Sequence, residues 1–323
     1  MSKGLNIVQR SELKASILLV LAAAIWGFAF VAQRVGIQYI GSFTFTGIRF
    51  ALGAFSIIPL IWYSGRKKGK SENNESIASK SSTAALLKAG AIAGMVLFAA
   101  VSLQQIGLEE TTAGKAAFIT GFYIILVPAL GVFLKQRTNI KTWIAAVFAI
   151  IGLYLISVDE NLYISKGDLQ VFACSFFFAV HILLINKYTK TLDSLKLSFV
   201  QYMVCALLSM AIAVFTEEIK ISSILEAAIP ILYGGVFSVG IAYTLQVYGQ
   251  KYAKASHAAI IMSLESVFAV VGGMLLLQES MNLRGYIGCL LMLSGVILSQ
   301  YQGQHLEEKT LDEAITTTYD SIQ

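Results

Sequence analysis

The sequence predicts an all-α integral membrane protein with ten transmembrane helices in two inverted five-helix repeats. Three observations lead there. Of 323 residues, 56% are hydrophobic and 13% charged, against roughly 25% charged in a soluble domain, and the mean hydropathy is +0.71. The apolar residues gather into ten runs, most of them close to the roughly 20 residues that cross about 30 Å of hydrocarbon. Finally, residues 142 positions apart resemble one another over several helices.

Residues 1–14, with Lys3, Arg10 and Lys14, are expected to stay in the cytoplasm and lead into a first run at about 15–36. That run is longer than a signal-peptide core, lacks a small-residue cleavage site and is followed by many more spans, so it reads as an uncleaved helix. Further runs follow at about 44–64, 85–108, 112–134 and 142–158, and a second set at 168–186, 197–216, 227–249, 257–277 and 284–302. The loops are short except at 64–88, where RKKGKSENNESIASKSS is polar and expected to be mobile. The acidic tail, 303–323, is expected to be disordered.

Lys and Arg sort by side. The N-terminus, the even-numbered loops and the tail hold eighteen, whereas the odd-numbered loops hold four: Lys115, Lys166, Lys220 and Arg284. Cytoplasmic segments carry the excess, so both termini are expected in the cytoplasm. Topology thus explains the net charge of +5, and no nucleic-acid partner is expected. Cys174, Cys205 and Cys289 lie inside apolar runs without metal-ligand spacing, so no metal site is expected either.

The 142 register lays KAAFI (115–119) on HAAII (257–261) and pairs Gln104 with Gln246, Gly107 with Gly249 and Gly131 with Gly273. A weaker shift of 152 pairs Trp26 with Phe178 and Arg49 with Gln201. The copies, 15–158 and 168–302, hold five helices each, so the second inserts upside down relative to the first. Inverted repeats of this kind build alternating-access transporters, with the site between the halves near mid-membrane.

The run AAIIMSLESVFAVVGGMLLL (258–277) carries one carboxylate, Glu265, close to mid-depth. An acid at the centre of an inserted helix costs on the order of 3 kcal/mol, so Glu265 is expected to face protein or water. Its face, with Ala258, Met262, Ala269 and Gly272, is mostly small and suits close helix contact. Intramembrane acids mark substrate and proton pathways, which makes Glu265 the expected substrate-binding and coupling residue. The alternative is a neutral Glu that only bonds a neighbouring helix.

The 142 register sets Tyr123 opposite Glu265, and the two could form a polar handle. Pro128, in the same run as Tyr123, leaves the carbonyl of Ile124 without its usual partner, so a bend or cavity is expected there, or else a passive kink. Gln104 and Gln246 carry groups that lipid cannot satisfy and are expected to face inward, as substrate ligands or as interhelical bonds. Trp26, Phe177, Phe178 and Tyr243 are candidate aromatic walls for an apolar or cationic part of a ligand, Trp26 first among them. His181, mid-span, is a candidate for proton relay or substrate contact, with packing as the other reading. Arg34 and Arg49 lie nearer the outer ends of their helices and are expected to snorkel in a structural role. Gly90 and Gly94 permit close helix contact within or between chains, which leaves a homodimer open.

The chain resembles the ten-helix drug/metabolite transporters built from two EamA repeats. The likeness covers nearly all of residues 15–302 and rests on AAAIWGFAFVAQRVG, GIRFALGA, TAGKAAFITGFYIILVPALG and ASHAAIIMSLESVFAVVGGMLLLQES, taken in order and spacing. Ser266 stands where many such proteins have proline after the glutamate, so the resemblance implies no proline kink there. It implies export of small organic metabolites or drugs, including amino acids, related compounds and toxic amphiphiles.

The expectation is therefore a secondary transporter of the inner or plasma membrane, not an enzyme, that exports small amino-acid-like, aromatic or cationic compounds. No phosphate-cradling glycine loop or ATP-binding domain is visible, so a gradient, with protons as the candidate ion, would supply the energy, and no cofactor is expected. An integral membrane enzyme would need a nucleophile, metal or acid/base cluster at one interface, whereas the polar residues here scatter around mid-depth. A membrane scaffold would not need an inverted repeat with inward polar residues. A nucleotide-sugar carrier is the nearest alternative and requires a basic pocket at mid-depth, for which Arg34 and Arg49 look too peripheral.

Overall fold

A computed structural model describes residues 2–69, 83–111, 113–134, 139–157, 165–276 and 283–298. Most of the polar 64–88 loop and the whole 303–323 tail lie outside the described residues. Hydrocarbon offers no hydrogen-bond partners, so a spanning backbone must satisfy itself, and every regular element described is helical. In order they are α1 (Ser2–Gly36), α2 (Ser42–Ser56), α3 (Ile58–Gly69), α4 (Thr83–Glu110), α5 (Ala113–Thr120), α6 (Tyr123–Phe133), α7 (Ile140–Ser157), α8 (Lys166–Tyr188), α9 (Ser194–Thr216), α10 (Ile221–Glu226) and α11 (Ala228–Leu232). A π-helix (Tyr233–Tyr243), α12 (Thr244–Tyr252), α13 (Ala255–Met262) and α14 (Glu265–Leu276) follow, and α15 (Leu283–Leu298) comes last.

Eight stretches, some joining consecutive elements, are long and apolar enough to cross a membrane. Two shorter apolar helices, Ile140–Leu155 and Leu283–Leu298, lie where a fifth and a tenth span are expected. The side chains are distributed as lipid requires. Phe133 and Phe215 are 84% and 88% exposed, while Gln105, Gln201 and Gln250 are wholly buried. Apolar surface turned outward and amides turned inward mark a multi-pass membrane protein whose interior is the polar part.

Small residues decide which helices meet. α1 packs along α14, α2 along α9 and the π-helix, and α4 along α8 and α9. A Cβ on Gly94 would stand 2.9 Å from the carbonyl oxygen of Gln201, and one on Gly90 would meet Val200. These glycines therefore serve a seam between α4 and α9 within the chain. Gly27 does the same for α1 and α14, where a Cβ would stand 2.6 Å from the backbone carbon of Phe268 and 2.7 Å from the nitrogen of Ala269.

Polar ties close the end of the bundle that carries the odd-numbered loops. Asp168 completes a capping box with Ser165 at the start of α8. Its carboxylate also accepts from Lys115 Nζ at 2.6 Å and Thr111 Oγ1 at 2.7 Å, which joins α8 to α5 and the end of α4. Glu217, just past α9, accepts from the backbone N–H groups of Phe43 and Thr44, both at 2.7 Å, and so satisfies orphan donors of the first turn of α2. Arg34 donates to the carbonyl oxygens of Leu108 and Glu109.

Candidate functional site

Two helices are broken at matching places. In the α5–α6 stretch the ladder tightens at Gly121 and Phe122, where Phe122 N–H bonds Ile119 O at 3.2 Å and Ile124 N–H bonds Gly121 O at 3.0 Å. In α13–α14 the same two bonds recur 142 residues on, Leu264 to Ile261 and Ser266 to Ser263, both at 3.1 Å. Pro128 is not the cause of the first break. α6 runs through it as a continuous helix, and the second copy breaks with no proline at all. The interruption beside Tyr123 lies at Gly121–Phe122, and Ser266 uses its hydroxyl to bond Ala117 O at 3.0 Å instead of removing a donor as proline would.

Each break delivers a polar side chain as the first residue of the following helix. Tyr123 opens α6 and Glu265 opens α14, and the tyrosine hydroxyl donates to Glu265 Oε1 at 3.0 Å. Both are buried, 4% and 5% exposed. Helix N-termini carry partial positive charge, which favours an acid in that position.

This pair forms one wall of a cavity of about 40 Å³ between α1, α2, α4, α5, α6, α8, the π-helix, α12, α13 and α14. At roughly 10–15 Å³ per water this holds about three waters, so a larger solute requires the walls to move. Gln104 and Gln246 both line it. Gln104 Nε2 donates to Thr120 Oγ1 at 3.0 Å, whereas Gln246 Oε1 has no partner among the described residues although the residue is 2% exposed.

The aromatic side is built by α1 and the π-helix. Trp26 donates from Nε1 to the carbonyl oxygen of Ser238 at 3.3 Å and packs edge-on against Tyr243, ring centroids 4.7 Å apart. Ser238 and Tyr243 are five residues apart and both line the cavity. In an α-helix at about 100° per residue they would point about 140° apart, so the i→i+5 winding is what aims both inward. Phe178 lines the cavity too, while Phe177 packs on Phe176 and is not among the lining residues.

Two sequence expectations change. His181 stands behind the wall: it is wholly buried, its Nε2 lies 2.9 Å from Gln201 Oε1, and its ring meets the edge of Tyr243. Arg49 does not snorkel. It is 2% exposed and lines the cavity, with its guanidinium 5.5 Å and 5.3 Å from the ring centroids of Phe45 and Phe50. Because α2 is enclosed by α9 and the π-helix, a long side chain on its inner face has no route to an interface. Arg34 is tied to the end of α4 and lies outside the cavity lining.

Met262, expected on the face of Glu265, also lines the cavity, and Phe30, Gln33, Thr120, Ile182 and Ser238, which the sequence had not pointed to, complete the lining. Phe30 and Gln33 carried a signal, since with Trp26 they follow the helical period on α1. Among the described residues no group of His, Cys, Asp and Glu side chains could hold a metal ion.

Comparison with known proteins agrees with this architecture. A model of the EamA-like transporter family matches the chain twice, at residues 13–158 and 165–301. An uncharacterized transporter of Archaeoglobus fulgidus is 30% identical over 288 residues, 89% of this chain and 86% of that one. The uncharacterized transporter YoaV of Bacillus subtilis is 23% identical over 283 residues, covering 86% and 93%. A solved crystal structure superposes with a TM-score of 0.71 over 91% of this chain and 98% of its own at 15% identity, which is a likeness of fold alone. Matched along both halves, and 30% identical to an archaeal transporter, the chain belongs to the EamA-like transporter family within the drug/metabolite transporters.

Proposed function

We propose that this membrane transporter is a secondary exporter that carries small organic solutes through the cavity between its two five-helix halves by alternating access. One observation carries the reading: Glu265 and Tyr123, delivered by two matching helix breaks, meet at the cavity wall beside the aromatic pair Trp26 and Tyr243. A carboxyl, orphan amide groups and aromatic faces around one enclosed space suit a solute with an apolar body and polar ends. Glu265 is the coupling group of this proposal, exchanging a proton as solute enters and leaves. The excess of Lys and Arg in the even-numbered loops supports cytoplasmic termini in a ten-span topology, α7 and α15 supplying the fifth and tenth spans.

Proteoliposomes containing the full chain test it. Flux of a substrate found by thermal-shift screening should rise with an imposed pH gradient, and Glu265→Gln should abolish that response. Flux indifferent to the gradient in the native protein would remove the coupling role, and a Trp26→Ala variant with unchanged flux would remove the cavity as the route.

A further inference from the structure

We propose that Arg49 is the anion-receiving group of this cavity and that the transported solute carries a single carboxylate. The inference rests on the reading of the cavity as the solute site. Arg49 lines that cavity from α2 at 2% exposure. Among the described residues its Nε has no hydrogen-bond partner, and it takes part in neither the Lys115–Asp168 nor the Lys220–Glu218 ion pair. A buried guanidinium N–H left without an acceptor is costly, and proteins keep such groups where a ligand supplies the missing partner.

The surroundings hold the guanidinium in place and give its Nε no acceptor among the described residues. The rings of Phe45 and Phe50 lie 5.5 Å and 5.3 Å from the guanidinium carbon, and a Cβ on Gly234 would sit 3.3 Å from Arg49 Cδ, so the aliphatic stem packs against the π-helix. Aromatic faces attract a cation but offer no hydrogen-bond acceptor in the plane of the fork. Glu265 does not fill that place: its Oε1 receives the Tyr123 hydroxyl, and it forms no ion pair with Arg49.

The planar fork of an arginine matches the two oxygens of a carboxylate. Phosphate shares that chemistry, but among the described residues Arg49 is the one basic side chain in the lining, and a phosphate dianion would keep a charge unmatched in a space this small. The body of the solute would lie against Trp26, Tyr243 and Phe178.

Thermal-shift titration of the detergent-purified full chain distinguishes the outcomes with three matched probes: 3-phenylpropionate, its neutral amide, and 2-phenylethyl phosphate. The carboxylate is expected to stabilise the native protein at concentrations at least tenfold lower than the amide or the phosphate. Arg49→Gln should erase that preference, and Arg49→Lys should restore part of it. A native protein that treats carboxylate and amide alike, or responds to neither, overturns the proposal without need of a variant. Preference for the phosphate overturns the carboxylate assignment. If carboxylate binding survives Arg49→Gln but is lost in Trp26→Ala, the arginine has no such role and the cavity reading stands. If it survives both substitutions, the cavity reading fails as well.

Discussion

Replacing Tyr123 by Phe removes one hydroxyl and leaves the ring's packing in place. That hydroxyl gives the Glu265 carboxyl the one hydrogen bond it makes among the described residues, at 3.0 Å, with both side chains at most 5% exposed. In soluble proteins a hydrogen bond to a charged group contributes about 1.5–3 kcal/mol. Interhelical bonds inside membranes average about 0.6 and reach about 1.7 kcal/mol, because the membrane-embedded unfolded state finds other partners. The membrane scale governs here, and burial of both partners places the pair near its top, so Tyr123→Phe should cost about 1–1.7 kcal/mol. Reversible SDS-driven unfolding in mixed micelles measures it, with Tyr123→Phe, Glu265→Gln and the double variant closing a cycle. The second loss should be smaller in the presence of the first. Single-variant costs that add to within about 0.3 kcal/mol would show that the two groups do not interact, and the polar handle would have to be abandoned.

Four other expectations rest on packing and caps. Gly27→Ala should destabilise by about 1–3 kcal/mol, because the added carbon meets the backbone of α14; Gly114→Ala, with open space at the same test, should instead gain up to about 1 kcal/mol from helix propensity, and thermal unfolding reads both. Asp168→Ala removes the carboxylate half of the α8 capping box and the bond to Thr111 while leaving the Ser165 cap in place, a loss of about 1–3 kcal/mol in SDS unfolding, with little added for Lys115, which is 36% exposed. Glu217→Ala should cost about 1 kcal/mol and speed hydrogen exchange at the amides of Phe43 and Thr44; unchanged exchange there would count against the cap.

The apolar runs were legible because lipid imposes them, and the lone acid at Glu265 was legible because hydrocarbon makes it costly. Its contact with Tyr123 could be anticipated from the 142 register, since related positions in two copies of one motif approach each other at the centre. Arg49 was misplaced for a physical reason. Position along α2 suggested a route to the interface, but that route exists only if no helix covers the side chain, and coverage is a tertiary fact. Pro128, whose missing N–H is visible in sequence, points to a bend or cavity at the Ile124 carbonyl, whereas the break lies at Gly121–Phe122 and its counterpart at Ser263–Leu264 uses ordinary residues. Ser238 could not be found at all: apolar residues on every side of Tyr233–Tyr243 carry no period from which five-residue winding could be read.

The π-helix also determines how this wall could move. α12 continues it without interruption, so a change of winding between Tyr233 and Tyr243 cannot stay local. A stretch that rewound to the α form would gain angle at every residue, and everything beyond it would turn together, as a shaft turns when one end is twisted. Gln246 and Gln250, fixed on that shaft, would sweep around its axis while Trp26, on α1, stayed where it is. The cavity would then open or close by torsion of a single rod, and the two helix breaks at Tyr123 and Glu265 would have no need to bend.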